Sequence, residues 1–449
     1  MREPLYHRLV DLKGYFFVYM DFWRCKALTH VQQNNSRAWI VAVSGTIINL
    51  CLGVLYAWSV FSKALQDHLG FSATQTSLPY SIAVIMFALF MVPAGIMLDR
   101  LGPRILLLLS GLLIGIGMVI AGFLLNVVGL VIGFGLIAGA AMGFGYAAPT
   151  PTATKWFKPH MRGTITGIVV AGYGLAPVYV SPLSEWLINS FGVANAFYYL
   201  GAFFTILIIL SSLVMKSPPE GWEPVGGEPP AEEKEEPKED KTEVKVDYTP
   251  REMMKTGQFW SLWIMYAFSA SAGLIIIGHV ATIASVQGGL ETGFIFAALL
   301  AVGNAAGRVI TGIVSDKIGR TATLISVFVL QAINMFAFAS YSSATMLTVG
   351  SIVTGATYGA LLALFPATTW DWYGLKNAGT NYGLIFTAWG VGGLVGPIIA
   401  GRIIDTTGSY NGAYIMSAVL LLIAAAMGLF TKRPKPKEAV PSQDEAKSV

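Results

Sequence analysis

Arg308 has the most chemistry to offer in this chain. It stands eight positions before Asp316 inside an apolar stretch, so on a helix rising about 1.5 Å per residue it lies on the order of 12 Å deeper than that aspartate. Burying a guanidinium in an apolar medium costs roughly 3 kcal/mol or more, so such a residue faces a cavity or a partner. Its planar fork matches a carboxylate through two parallel hydrogen bonds. No acid stands at matching depth in the neighbouring apolar stretches, which makes an incoming carboxylate the economical counter-ion. An ion pair with Glu185 and snorkelling to the interface are the alternatives. Asn304 is four residues earlier on the same helix face, where its amide could hold a hydroxyl, a keto oxygen or the second carboxylate oxygen, or else bond a neighbouring helix. His279 is the only histidine in an apolar stretch. It is either a proton site near neutrality or a neutral ring bonded to a carbonyl.

Long apolar helices must carry these residues. The chain has 449 residues, 54% hydrophobic and 12% charged, against roughly 25% charged in soluble domains. That deficit excludes an ordinary soluble enzyme. The apolar stretches hold no nucleophile with a base, no paired carboxylates and no metal-spaced cluster, so neither catalytic nor metal residues are expected, and no cofactor. Cys25 and Cys51 belong to no disulfide framework. Basic residues come one to three at a time beside apolar segments, a pattern that excludes nucleic acid as a partner. The lipid bilayer is the expected solvent.

Apolar stretches of about 20 residues fall at 38–62, 75–98, 105–125, 127–153, 163–188, 194–215, 259–286, 292–314, 320–340, 344–369, 378–401 and 411–430. They predict an all-α membrane protein with twelve transmembrane helices. Residues 216–258 between the sixth and seventh are rich in Pro, Glu and Lys, and read as a disordered linker. Of the 29 Lys and Arg residues, all but Lys63, Arg402 and Arg308 fall in segments that share one side with both termini and the linker. That side is expected to be cytoplasmic, in a plasma or bacterial inner membrane. Residues 1–37 form a cytoplasmic N-terminal segment without the pattern of a secretory signal; their aromatic stretch Gly14 to Trp23 suits either an interfacial helix or an over-extended start. Residues 431–449 form a cytoplasmic tail.

The two halves repeat. Gly95, Asp99, Arg100 and Gly102 follow the second stretch, and Gly312, Asp316, Lys317, Gly319 and Arg320 follow the eighth, at an offset of 217. Gly167 and Gly383, Gly174 and Gly390, and Gly192 and Gly408 continue the register at 216. A duplicated six-helix unit is the sequence mark of a transporter. In each joint two glycines permit a tight turn, while Asp99 and Asp316 can accept hydrogen bonds from basic groups or a helix N-terminus and so act as conformational gates.

This Gly-x-x-x-Asp-Arg/Lys-x-Gly joint resembles the hallmark of the major facilitator superfamily, over about residues 38–430. Within it, Leu55-Tyr-Ala-Trp58, Arg308 ahead of Ser315-Asp-Lys-Ile-Gly-Arg320, and Leu364-Phe-Pro-Ala-Thr368 resemble the oxalate/formate antiporter and monocarboxylate transporter branch. The resemblance implies two pseudo-symmetric six-helix bundles, 38–215 and 259–430, with a substrate site between them. It places Tyr146 and Tyr358 on cavity-lining helices, as aromatic walls with hydroxyl donors or as packing. Dicarboxylate carriers of that branch place a second cation after an Asn-Tyr-Gly; here Asn381-Tyr-Gly383 is followed by Phe386 and Trp389 without one. One buried cation suits one carboxylate, with Leu55, Phe386 and Trp389 lining an apolar pocket for a short tail. The expectation is a monomeric carrier of a small organic anion such as lactate or pyruvate, coupled to a proton at His279. Anion exchange of the oxalate/formate kind is the rival, and a carboxylate-sensing transceptor is a third possibility.

Overall fold

The computed structural model describes residues 35–158, 161–219, 222–226, 247–374 and 377–434, with backbone alone at 99, 162, 163 and 378. Residues 1–34 and 435–449 lie outside the described residues, and with them the N-terminal aromatic stretch and most of the tail. Twelve helices are long and apolar enough to cross a membrane. They are α1 (Asn35–Leu69), α2 (Ala73–Leu98), α3 (Arg100–Phe123), α4 (Val127–Thr154), α5 (Thr164–Phe191), α6 (Val193–Val214), α7 (Gly257–Gly288), α8 (Gly293–Ile318), α9 (Arg320–Phe338), α10 (Ala344–Tyr373), α11 (Gly379–Thr407) and α12 (Asn411–Phe430). The expected all-α architecture of two six-helix bundles is what forms. Lipid-facing positions such as Leu89, Ile116, Val309 and Ile333 are exposed and apolar, as a helix surrounded by hydrocarbon requires.

Local signals start and stop these helices. Ser72 caps α2 through the Gln75 amide, and the Gln75 side chain accepts from the Ser72 amide in return, a reciprocal capping box. Thr256 and Ser343 cap α7 and α10 in the same manner with one bond each. The predicted tight turns occur at Gly102 (φ 77°) and Gly319 (φ 89°), which reverse the chain between α2 and α3 and between α8 and α9. An L side chain is disfavoured at such φ values, which explains why both repeats carry glycine there.

The linker departs from the disorder expected over 216–258. One end folds back on the α4–α5 loop: Val225 pairs with Phe157 as an isolated parallel bridge, the Val225 amide donates to Trp156 O, and the Trp222 and Trp156 rings meet edge-on at 4.5 Å. The other end docks on the α10–α11 loop, where the Tyr248 amide donates to Tyr373 O and the Tyr248 carbonyl accepts from Asn377 and Asn381. Trp156 and Tyr373 are themselves 217 apart, so the linker ends grip equivalent loops of the two repeats. A short helix, Pro250–Met254, then leads into α7. Polar composition set the expectation of disorder; two aromatic anchors and backbone pairing overcome it locally.

The bundles meet chiefly through α2 with α11, α5 with α8 and α1 with α7. On the side away from the linker, here the far side, α2 and α11 approach closely: a Cβ on Gly401 would lie 2.7 Å from Ser77 Oγ and 2.8 Å from Ala73 O. At mid-depth one on Gly390 would lie 2.6 Å from Ala88 Cβ. Two turns nearer the linker on the same face of α11, Gly383 meets nothing within 4 Å, and neither does Gly167 near the linker end of α5. The bundles therefore pack on the far side and part toward the linker.

Candidate functional site

Arg308 sits where the bundles part. Its Nε donates to Asn304 Oδ1 at 2.9 Å, a bond within α8 between residues four apart on one face. Across the gap is α5, which comes close because residue 174 is glycine: a Cβ there would lie 3.2 Å from Asn304 Oδ1 and 3.5 Å from an Arg308 terminal nitrogen. Among the described residues no carboxylate lies within ion-pair distance of the guanidinium. The alternative pairing with Glu185 does not form. Arg308 is only partly buried, as is Tyr146, whereas Asn304 is fully buried with its Nδ2 unpartnered.

A hydrogen-bonded chain crosses the bundle interface beside it. Trp389 Nε1 donates to Tyr358 OH at 2.6 Å, and Tyr358 OH lies 2.9 Å from Tyr56 OH. An indole N–H can only donate, so Tyr358 accepts from Trp389, and either hydroxyl can donate in the bond between Tyr358 and Tyr56. When Tyr358 donates, the Tyr56 proton has no acceptor among the described residues. Tyr56, Tyr173 and Tyr382 all lie near enough to Arg308 to feel its charge. The Tyr173 hydroxyl is buried and unpartnered.

Aromatic rings enclose these donors. Tyr173 meets Tyr56 edge-on at 5.1 Å and Tyr146 at 5.2 Å, Phe87 meets Tyr146 and Trp389 each at 5.3 Å, and Phe386 stacks on Trp389 at 4.9 Å. Leu55 is fully buried beside Tyr56 in Gly53–Ala57, a 3-10 turn that interrupts α1 at this depth. The structure thus gathers Arg308, Asn304, Tyr146, Tyr358, Phe386 and Trp389, with Leu55 in the adjoining core. It adds Tyr56, Tyr173 and Phe87. Tyr56 was marked in the sequence only by the Leu55-Tyr-Ala-Trp58 match, and Tyr173 and Phe87 gave no signal beyond aromatic side chains in apolar stretches, which is also what packing looks like.

His279 stands apart from this group. It is buried in the far-side contact, with Nε2 3.2 Å from Pro397 O and 3.1 Å from Ser77 Oγ, and Nδ1 3.1 Å from Tyr410 OH. The Pro397 carbonyl can only accept, so Nε2 carries the proton in the neutral ring and Nδ1 accepts from Tyr410. Burial pushes the Tyr410 hydroxyl above its usual range, which keeps it a donor. Of the two expected alternatives for His279, the geometry shows the bond to a carbonyl; the ring also bridges the two bundles through Ser77 on α2.

The repeated joints lie at the linker side. Arg320 donates to Asp316 at 2.6 Å, to Asp371 at 2.9 Å and to Ser315, tying the ends of α8, α9 and α10 together. Asp316 accepts from a basic neighbour as expected, and Asp371 is an additional partner. Gly95 and Gly312 have open space around them, Arg100 and Lys317 are exposed, and the Asp99 side chain lies outside the described residues.

Residues 41–303 and 280–449 match the family described as Major Facilitator Superfamily. The oxalate:formate antiporter of Oxalobacter formigenes is 30% identical over 425 residues, covering 92% of this chain and 96% of its own. Monocarboxylate transporter 13 of Rattus norvegicus is 24% identical over 395 residues, 87% of each. A bacterial homolog of the human lysosomal transporter Spinster, solved in an inward-facing and unoccupied conformation, shares the fold at a TM-score of 0.62 and 19% identity, over 88% of this chain and 96% of that one. The resemblance carried by the repeated joints and by Arg308 is met on both counts, family and branch. With matched segments running through both bundles, the chain belongs to the major facilitator superfamily.

Proposed function

We propose that this protein is a secondary active transporter that moves a small monocarboxylate of the lactate or pyruvate kind across the cell membrane by alternating access. The observation that carries this reading is the unpaired Arg308 fork, flanked by the unpartnered Asn304 Nδ2 and Tyr173 hydroxyl and by the free end of the Trp389–Tyr358–Tyr56 chain. Every free polar group there can donate, which suits an anion. One cation suits one carboxylate, and Phe87, Phe386 and Trp389 suit a short apolar tail. The linker and both termini lie in the cytoplasm in this reading, so the described conformation faces inward. One chain forms the whole site and acts as a monomer.

A proton accompanies the anion. Moving a negative charge alone costs about 2.3 kcal/mol per 100 mV against an inside-negative potential. His279 is the carrier proposed. Its bond to Ser77 breaks when the far side opens, and both the Pro397 carbonyl and the Tyr410 oxygen can accept from a charged ring when it closes. Anion exchange is the second reading, favoured by the absence of any histidine or carboxylate against Arg308 among the described residues and by the 30% identity to an oxalate:formate antiporter. Proteoliposomes separate the two. Labelled lactate should enter when an inward-directed pH gradient is imposed, without internal anion. Uptake driven only by preloaded anion establishes exchange, and no uptake of any short carboxylate under either condition removes the substrate assignment.

A further inference from the structure

The far-side contact contains a helix cap built from two bundles. Asp405, near the end of α11, accepts from the Ala73 amide through Oδ1 and from the Thr74 amide through Oδ2, each at 2.8 Å. These are the first two amides of α2, which belongs to the opposite bundle. Ser72 satisfies only the next one, through Gln75. The first amides of any helix have no partner inside it, and the helix dipole adds partial positive charge at that end. Here a carboxylate from the other half of the molecule completes the cap.

The surroundings make the contact state-dependent. Gly401, one turn before Asp405, lies against Ala73 O and Ser77 Oγ, and Ser77 in turn meets His279. Gln66 on α1 reaches Thr282 on α7 at 3.3 Å. All of these join the bundles on the packed side, and none can persist once that side opens. In the register of 216 kept by Gly192 and Gly408, the repeat position for Asp405 is Asn189, near the end of α5. It carries an amide where Asp405 carries a carboxylate, so the charged cap belongs to one bundle only.

We propose that Asp405 is a far-side latch: it holds the inward-facing state by capping α2 from the opposite bundle, and must release α2 in every cycle. Opening leaves two amides and one carboxylate to water. Loss of an N-cap is worth about a fivefold change in an equilibrium, with thirtyfold as an upper end.

The test uses the full chain in liposomes, without native cysteines, spin-labelled at Leu69→Cys and Glu291→Cys on the far ends of the two bundles. Distances are read without substrate, so the outcome is independent of the transport proposal. Asp405→Ala removes both acceptors and should raise the ratio of far-open to far-closed distances about fivefold. Ala73→Pro removes one donor at a helix position where proline is well tolerated, and should shift the ratio in the same direction. The double variant should shift no further than Asp405→Ala alone, because the proline removes part of the contact that the alanine removes whole. Unchanged distributions in both single variants, or additive shifts, overturn the latch. Should Asp405→Ala fail to fold, the Ala73→Pro distribution alone decides.

Discussion

Tyr56 on α1 and Tyr358 on α10 meet oxygen to oxygen at 2.9 Å, the point where the two bundles touch beside Arg308. Trp389 donates to Tyr358, and either hydroxyl can donate in the bond between Tyr358 and Tyr56. Substituting the middle and the end should therefore differ. Tyr358→Phe breaks both bonds, strands the buried Trp389 N–H and should cost about 1–3 kcal/mol of stability, together with a raised KM for uptake. Tyr56→Phe breaks only the bond between the hydroxyls and should raise KM with a smaller loss of stability. Equal losses of stability in the two variants would show that the bond from Trp389 contributes nothing.

Gly174 brings α5 of the opposite bundle close to Arg308 and Asn304. Alanine there needs Asn304 Oδ1 to yield by a few tenths of an ångström from 3.2 Å, and transport should survive within a few-fold. Valine cannot be fitted without turning the guanidinium away, so Gly174→Val should lower uptake at unchanged expression. Wild-type kinetics in Gly174→Val would show that the orientation of the fork does not matter.

His279→Gln keeps an amide that can bond Pro397 O or Ser77 but removes the charge change. Net uptake driven by a pH gradient should fall, while exchange of labelled for unlabelled anion should persist. Undiminished gradient-driven uptake by this variant would take the proton role away from His279.

Much of this architecture was legible in the residues because the bilayer imposes simple rules. Long uncharged stretches must be helices, and Gly102 and Gly319 mark turns because only glycine tolerates their φ values. Arg308 and Asn304 stood out because a charge in hydrocarbon demands a reason, and their spacing placed them on the one face where they meet at 2.9 Å. Tyr173 was silent, and Tyr56 showed only as part of the Leu55-Tyr-Ala-Trp58 match, because an aromatic ring in a span is as good for packing as for binding. Asp405 was silent because its partners are backbone amides 332 and 331 residues away, which no local pattern records. The linker ends were misjudged for a related reason: charge and proline dominate its composition, while Trp222, Val225 and Tyr248 supply the anchors.

The central claim is that Arg308 anchors the carboxylate of the transported anion. Its most direct test is uptake of labelled lactate, pyruvate and formate by proteoliposomes of wild type, Arg308→Lys and Arg308→Gln, with melting temperatures measured without ligand. Loss of two charge-assisted hydrogen bonds is worth at least ~3 kcal/mol, about a hundredfold. Arg308→Gln should thus lose at least a hundredfold in kcat/KM while melting like wild type, and Arg308→Lys, with a point charge but no fork, should fall between them. Wild-type uptake by Arg308→Gln would contradict the account.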